Sequence, residues 1–481
     1  MKESIILKKL VELSNENIVS FHVPGHKNGK AYKKYKEHPF NNELLSLDVT
    51  EIPGTDNLHA PEEMIKKAQE KAAKFFGAEH TFFLINGTST GNISALMAVA
   101  NPNEKIIVPR DCHKSIMHGL ILGGLIPVYI HPEVSVEHNI SMGIKVETIE
   151  KAILENKDAK AVVLTYPNYY GICSDIEAIV KVVHKYEKIL IVDEAHGSHL
   201  NLSEDLPVDA IDAGADIVIQ STHKTLPGFT QSSMLHVKSE RVNLDRLRFM
   251  LMMNQSSSPS YLLMASLDEA RVIAERDGKV LMDDLLKNIN KFHEKISKIN
   301  GIKVFDEKLI GKYGVKDFDK TRLVIDMTDL GISGTQLDAL LREKYGIQME
   351  MSDMKHIVAV CTIGNDRDDF EKLLKALIHI KEKNTREVRK IEKVSLLQGI
   401  PKMNILPRQA TFSIKKEINF EESVGKTSGE YIIPYPPGIP VLCPGEEITK
   451  EIINYIKILK ERGLSIMGMD DSHLEKIKVI E

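Results

Sequence analysis

The chain has 481 residues, 42% of them hydrophobic and 27% charged, with a formal net charge of -5 and a pI near 6.4. That length exceeds what one hydrophobic core ordinarily serves, so two or three domains are expected, and the composition is that of a soluble globular protein. The weak negative charge gives no general attraction to nucleic acid or to an anionic membrane, which leaves small-molecule chemistry as the default.

The first residues, MKESIILKKLVELSNEN, have the pattern of a short amphipathic helix without the apolar core and small-residue cleavage site of a signal peptide, so a cytoplasmic location is expected. GHKNGK at 25 to 30 looks like a phosphate loop, but it has three residues between its glycines where a P-loop needs four. In PEEMIKKAQEKAAKFFG, Ile65, Ala68, Ala72 and Phe75 form one helical stripe and Gly77 a C-cap. Seven apolar runs follow: TFFLI, KIIVP, PVYI, AVVLTYP, ILIVDEA, DIVIQST and SMLHV, most separated by helix-compatible sequence. Continuous apolar strands alternating with helices predict an α/β fold, a mainly parallel sheet of about seven strands with helices on both faces. The apolar stretch IMHGLILGGLIPVYI holds a His, three Gly and a Pro and falls short of a membrane span.

After residue 240 come two long helical patterns, SPSYLLMASLDEARVIAER and VLMDDLLKNINKFHEKISKI, and then a mixed unit. Its strands are expected near IKVFD, RLVIDMT, IQMEMSD and HIVAVCTI, with helices GTQLDALLREKYG and DDFEKLLKALIHIKEK, the pattern of a smaller α+β domain. The charged stretch KEKNTREVRKIEK links it to a C-terminal part with a Pro/Gly-rich core, YIIPYPPGIPVLCPGEE. The expected division is an N-terminal segment 1–60 contributing to the active site, a large domain 61–260, linker helices with a small domain 261–390, and a C-terminal domain 391–481. Cys112, Cys173, Cys361 and Cys443 are scattered without a CxxC pair, so reduced thiols are expected and no metal site.

In open parallel sheets, ligands bind at the carboxyl ends of the strands. After TFFLI comes NGTSTGN, where Thr88, Ser89 and Thr90 open a helix: either an ordinary N-cap or a phosphate site. After KIIVP comes PRDCHKS with His113, which is either structural or a ring able to stack on a planar cofactor. Asp193 stands where ILIV runs out, an awkward place for a carboxylate without a cation or donor, and His196 follows three residues later. After DIVIQ, Ser221, His223 and Lys224 precede a Pro-Gly turn, and a half-buried lysine is the standard amine for Schiff-base chemistry. A phosphate anchor, a flat partner, an anion and an aldehyde-trapping lysine together are what pyridoxal phosphate (PLP) requires.

The motifs FHVPGHKNG, DVTEIPGTDNLHAP, NGTSTGN, PRDCHKS, YPNYYG, VDEAHGSH, QSTHKTLPG, SSSPSYLLMASLD and YPPGIPVLCPGE run through almost the whole chain. In this combination the sequence resembles the Orn/Lys/Arg decarboxylase family of PLP enzymes of fold type I, in its short form without an N-terminal flavodoxin-like domain. The resemblance implies Lys224 as the Schiff-base lysine, Asp193 as the partner of the pyridine nitrogen and His113 as the ring stacked on the cofactor. It implies Thr88, Ser89, Thr90, Ser221 and His223 as the phosphate cup and His196 as a group near the phenolic oxygen. Ser257 and Ser258 would reach the phosphate of a neighbouring subunit, which implies at least a homodimer with shared active sites.

The expected reaction is decarboxylation of a basic amino acid, with Lys224 or His223 returning a proton to the α-carbon. Asp48, Glu51, Asp56, Glu446 and Glu447 are candidate partners for the distal cation, although most such acids are solvated surface groups. Arginine is the favoured substrate, then lysine, then ornithine. The rival readings are an aminotransferase or lyase of the same fold, with Arg386 or Arg408 gripping a carboxylate, and a non-catalytic binding protein.

Overall fold

The structure, a computed structural model, describes residues 3–16, 18–34, 42–383, 399–435 and 439–481. Arg386, most of the charged linker and the Pro-Pro-Gly at 436–438 lie outside the described residues.

All seven apolar runs form strands of one sheet: β1 (His80–Leu84), β2 (Lys105–Pro109), β3 (Ile126–Ile130), β4 (Ala161–Thr165), β5 (Ile189–Asp193), β6 (Ile217–Gln220) and β7 (Ser233–Val237). Their order is β1-β7-β6-β5-β4-β2-β3. The pairs β2–β3, β2–β4 and β5–β6 are parallel, whereas β7 runs antiparallel to both β1 and β6. The middle residues of β2 and β5, Ile106 to Val108 and Leu190 to Val192, are fully buried, as expected of strands covered on both faces. The chain divides into two compact units, one of Met1–Val99, Ile191–Glu204 and Val208–Leu281, the other of Ala100–Leu190, Asp205–Pro207 and Met282–Glu481.

In the first unit the amphipathic N-terminus forms the helix Ile5–Asn15, capped by Ser4. Its opening donors are also held by the buried carboxylate of Asp268, which accepts from the Ser4 hydroxyl and from the N–H groups of Ile5 and Ile6. The helix Met64–Phe76 ends on Gly77, whose φ of 72° is the left-handed C-cap that glycine adopts without strain. Its buried stripe is Ile65, Ala68, Ala72 and Phe76, one residue beyond the expected Phe75. The helix Gly87–Val99 lies close against the sheet, because a Cβ on Gly91 would come within 2.7 Å of Ile219 and 2.8 Å of Leu84.

The two long helical patterns after residue 240 are one helix, Tyr261–Ile296, of 36 residues. Gly278 looks like a break and costs a helix about 1 kcal/mol relative to alanine. Here its missing side chain is used, since a Cβ would stand 2.8 Å from Leu202.

The second unit contains β2, β3 and β4 and an antiparallel sheet ordered Lys303–Val304, Arg322–Asp326, His356–Val360, Met351–Ser352. The helices Gly334–Tyr345 and Arg367–Lys383 complete the expected α+β element. The YPNYYG loop after β4 meets this sheet: the Tyr170 hydroxyl donates to Asp353 over 2.7 Å and the Tyr169 hydroxyl to Glu350 over 3.0 Å. Beyond residue 399, strands Lys415–Asn419 and Lys476–Ile480 pair, as do Ile433–Tyr435 and Ser465–Met467. With the helix Lys450–Glu461 they enclose a core that includes Ile432, Leu442, Ile453 and Ile456. Among the described residues no helix is long and apolar enough to cross a membrane.

Candidate active site

The first unit gathers polar residues where β1, β5 and β6 end. Asp193 closes β5 and is buried, so its carboxylate needs donors. The side-chain amide of Asn92 donates to Oδ2 over 2.9 Å, and the N–H of Ala195 donates to Oδ1 over 3.2 Å. Asn92 lies on the buried face of the helix Gly87–Val99, within the NGTSTGN motif, but sequence reasoning gave it no role. The clue was its place: a polar side chain in a helix that follows β1, paired with a carboxylate otherwise without an explanation.

β6 runs into a single helical turn, Thr222–Thr225, with Ser221 at its N-cap position. This turn holds the Lys224 ammonium 3.0 Å from Nε2 of His196, a residue only 6% exposed. The Ser221 hydroxyl lies 3.0 Å from the Thr88 hydroxyl, which links the start of the lysine turn to the start of the helix Gly87–Val99. At that start Gly87 adopts φ 75° and its N–H donates to the carbonyl of Gln231. The following N–H groups open the first turn, where helix donors have no intrahelical partner and an anion is favoured. Ser89 is exposed and Thr88 half-buried, whereas Thr90 is buried and turns its hydroxyl back onto the Asn86 carbonyl at 3.3 Å.

His223 is oriented by β7. Its Nδ1 donates to the carbonyl of Ser232 over 2.8 Å, which leaves Nε2 as the acceptor nitrogen. Burial lowers its pKa, and the charge of Lys224 acts the same way against the bond to Ser232. His113 belongs to the second unit, where it is the N-cap of the helix Lys114–Gly123. Its Nδ1 accepts from the Ser115 N–H at 3.2 Å, so the ring proton is on Nε2. Ser257 and Ser258 are exposed.

The five candidate acids differ in what occupies them. Asp56, itself at φ 64°, accepts from the N–H groups of Asn57, Glu62, Glu63 and Ile65, and so caps the helix Met64–Phe76. Burial would raise its pKa, but these four donors bring it below the ordinary value. Glu446 is buried, receives Arg110 at 2.9 Å and the Cys443 N–H at 2.7 Å, and is thereby tied into the second unit. Asp48 pairs with Nε2 of His26 at 3.1 Å. Glu51 keeps a buried Oε1 without a hydrogen-bond partner among the described residues, and Glu447 is half-buried. Arg408 donates to the carbonyls of Ile121 and Leu122 in the last turn of the helix Lys114–Gly123.

The model of the Orn/Lys/Arg decarboxylase major domain matches residues 5–369, and that of the family's C-terminal domain matches residues 390–472. The chain is 38% identical to the arginine decarboxylase of Bacillus subtilis (strain 168) over 464 residues, covering 96% of this chain and 95% of that protein. It is 36% identical to the arginine decarboxylase of Bacillus anthracis over 484 residues, covering 100% of this chain and 97% of that protein. The crystal structure of the Francisella novicida lysine decarboxylase superposes with a TM-score of 0.86 at 23% identity, covering 100% of this chain and 81% of that one, a likeness of fold.

Proposed function

Because the chain belongs to the Orn/Lys/Arg decarboxylase family of PLP-dependent amino acid decarboxylases, we propose that it converts L-arginine to agmatine and CO2, with lysine and then ornithine as poorer substrates. The observation that carries this reading is the Lys224 amine beside His196, in the turn that follows β6, the strand next to the one that ends in the buried, hydrogen-bonded Asp193. The donor set suits the cofactor: an anion-binding helix start with the Thr88 and Ser221 hydroxyls for a phosphate, a carboxylate for a ring N–H, and an amine for an aldehyde.

When bound, PLP supplies a protonated ring that takes up the electrons left behind by the departing carboxylate. In this reading Asp193, kept in place by Asn92 and Ala195, holds the proton on the ring nitrogen. Thr88, Ser89, Thr90, Ser221 and His223 hold the phosphate, Thr90 through its backbone since its hydroxyl is engaged. The lowered pKa of His223 makes it a neutral imidazole at pH 7, which favours Lys224 as the group that returns a proton to the α-carbon. His196, 3.0 Å from that amine, holds its position. In the first unit Asp48 and Glu51 are better candidate partners for a guanidinium than Asp56, which is taken up by backbone donors; in the second, Glu447 is a better candidate than Glu446, which is held by Arg110. Ser257 and Ser258 serve the site of a second subunit, and the enzyme acts in the cytoplasm as at least a dimer.

The test is incubation of the PLP-loaded protein with arginine, lysine and ornithine while CO2 and the product amine are measured. Agmatine with stoichiometric CO2, formed fastest from arginine, is expected. Keto-acid formation without CO2 would overturn the reading.

A further inference from the structure

On the other face of the sheet from Asn92 and Asp193, a chain of buried side chains runs from the residue after β5 across β6, β7 and β1. Glu194 directly follows β5, so its side chain points opposite to that of Asp193. Its N–H donates to the Ile219 carbonyl over 2.9 Å, which brings it level with the end of β6. There the side-chain amide of Gln220 donates to Glu194 Oε2 over 2.6 Å, while the N–H of Ala210 donates to Oε1 over 2.8 Å. Gln220 Oε1 lies 3.2 Å from His236 Nε2 on β7, and His236 Nδ1 lies 2.8 Å from the Thr81 hydroxyl on β1. Glu194, Gln220, His236 and Thr81 are all 4% exposed or less.

Donor and acceptor roles in this chain follow from its end. Gln220 turns its amide nitrogen to Glu194 and so presents its carbonyl to His236. His236 must then donate through Nε2 and accept from Thr81 through Nδ1. Burial holds the His236 pKa down to about 3, so the ring is neutral as this pattern requires. Burial and the charge of Asp209 push the Glu194 pKa up, against the donors Gln220 and Ala210 that favour its ionised form.

Glu194 is also the post around which the following turn is wound. The Gly197 N–H donates to its carbonyl at 2.9 Å, and a Cβ on Gly197 would meet its Cγ at 2.5 Å. That turn carries Asp193 at one end and His196 near the other. Gln220 immediately precedes Ser221, at the base of the turn that carries Lys224. From this geometry we infer that Glu194 and Gln220 form a buried clasp that sets the spacing between Asp193 and His196 on one strand end and Lys224 on the next. Both are positioning residues. The inference rests on the PLP reading of Lys224 and Asp193, and it adds to that reading a part of the protein that touches neither cofactor nor substrate.

The test is a charge exchange in the full-length, PLP-loaded enzyme. Gln220→Glu sets two buried carboxylates against each other. The double variant Glu194→Gln/Gln220→Glu regains every bond: the new amide donates to the new carboxylate, which still accepts from His236, and the N–H of Ala210 still has an acceptor. Gln220→Leu removes the clasp without adding charge and serves as the second variant if Gln220→Glu does not fold. The readouts are the visible absorbance of the lysine-bound cofactor, the pH at the midpoint of its change, kcat and KM for arginine, and circular dichroism as a check of folding. In folded Gln220→Leu, kcat is expected to fall about tenfold or more with KM changed far less, the scale of one lost hydrogen bond to a charged group, and the absorbance midpoint to move. The double variant is expected to recover both. A folded Gln220→Leu enzyme with the parental midpoint and kcat, or a double variant no better than Gln220→Glu, would overturn the inference. A parental protein without the absorbance band would instead overturn the cofactor assignment.

Discussion

Asn92 and Asp193 stand 101 positions apart in the chain, yet the amide of one donates to the carboxylate of the other over 2.9 Å with both side chains buried. A bond to a buried charge is worth about 1.5 to 3 kcal/mol, more than most neutral ones. Asn92→Leu is therefore expected to weaken PLP binding by at least about tenfold, as read from titration of the visible absorbance. Unchanged affinity in a folded variant would mean that Asp193 is held in place by other means.

Arg110 joins the end of β2 to the C-terminal part of the second unit through Glu446 and the carbonyls of Pro440 and Val441. Removing one partner of a buried pair leaves the other charge uncompensated, at a cost of about 3 to 5 kcal/mol. Arg110→Met should lose stability on that scale in urea unfolding. The double variant Arg110→Met/Glu446→Gln should regain a good part of it, because a glutamine carbonyl still accepts from Cys443.

Asp56 accepts from the N–H groups of Glu62, Glu63, Ile65 and Lys66 around the start of the helix Met64–Phe76 and from that of Asn57, and Asp56→Ala should destabilise the protein by about 1 to 2 kcal/mol, the usual range for a lost cap. Its pKa is lowered from 3.8, so the folded state binds the ionised form. The contribution is complete above about pH 4 to 5 and disappears as the pH falls through the folded value. The difference in melting temperature between parent and variant should therefore shrink toward pH 3.

Asp209 shows the opposite sign. Burial pushes its pKa up to about 6 from 3.8, so folding retains a proton that the unfolded chain has already released in that interval. Its contribution to stability is present below about pH 4 and declines as the pH rises toward 6. Asp209→Asn carries no such penalty. Relative to the parent it should gain up to about 3 kcal/mol between pH 4 and pH 7, measured by chemical unfolding at both values.

The strands of the large sheet were legible because a strand buried on both faces needs an unbroken apolar run, and KIIVP and ILIV have nothing else to be. Lys224 and Asp193 were legible for the complementary reason, as charged groups at the ends of such runs. The continuity of the helix Tyr261–Ile296 was not, because Asp277 and Gly278 have the local preferences of a break and only the distant Leu202 explains the glycine. Asn92, Glu194 and Gln220 were invisible as functional groups because each acquires its meaning from a partner on another strand or helix. Local spacing carries no trace of such a partner. The same holds for Arg110 and Glu446, 336 positions apart.

The reversal of β7 brings the chain back to the site immediately after the lysine turn. At that return, Gly87 is held by the carbonyl of Gln231 and His223 by the carbonyl of Ser232. Both anchors are main chain, and Gln231 adopts φ 86°. Position 231 is thus free to drift in side-chain identity, toward glycine or asparagine most easily, while the number of residues between Lys224 and β7 is not. Natural variation and library design alike should find position 231 open to glycine and asparagine, the buried and hydrogen-bonded Ser232 beside it restricted, and the loop closed to insertion.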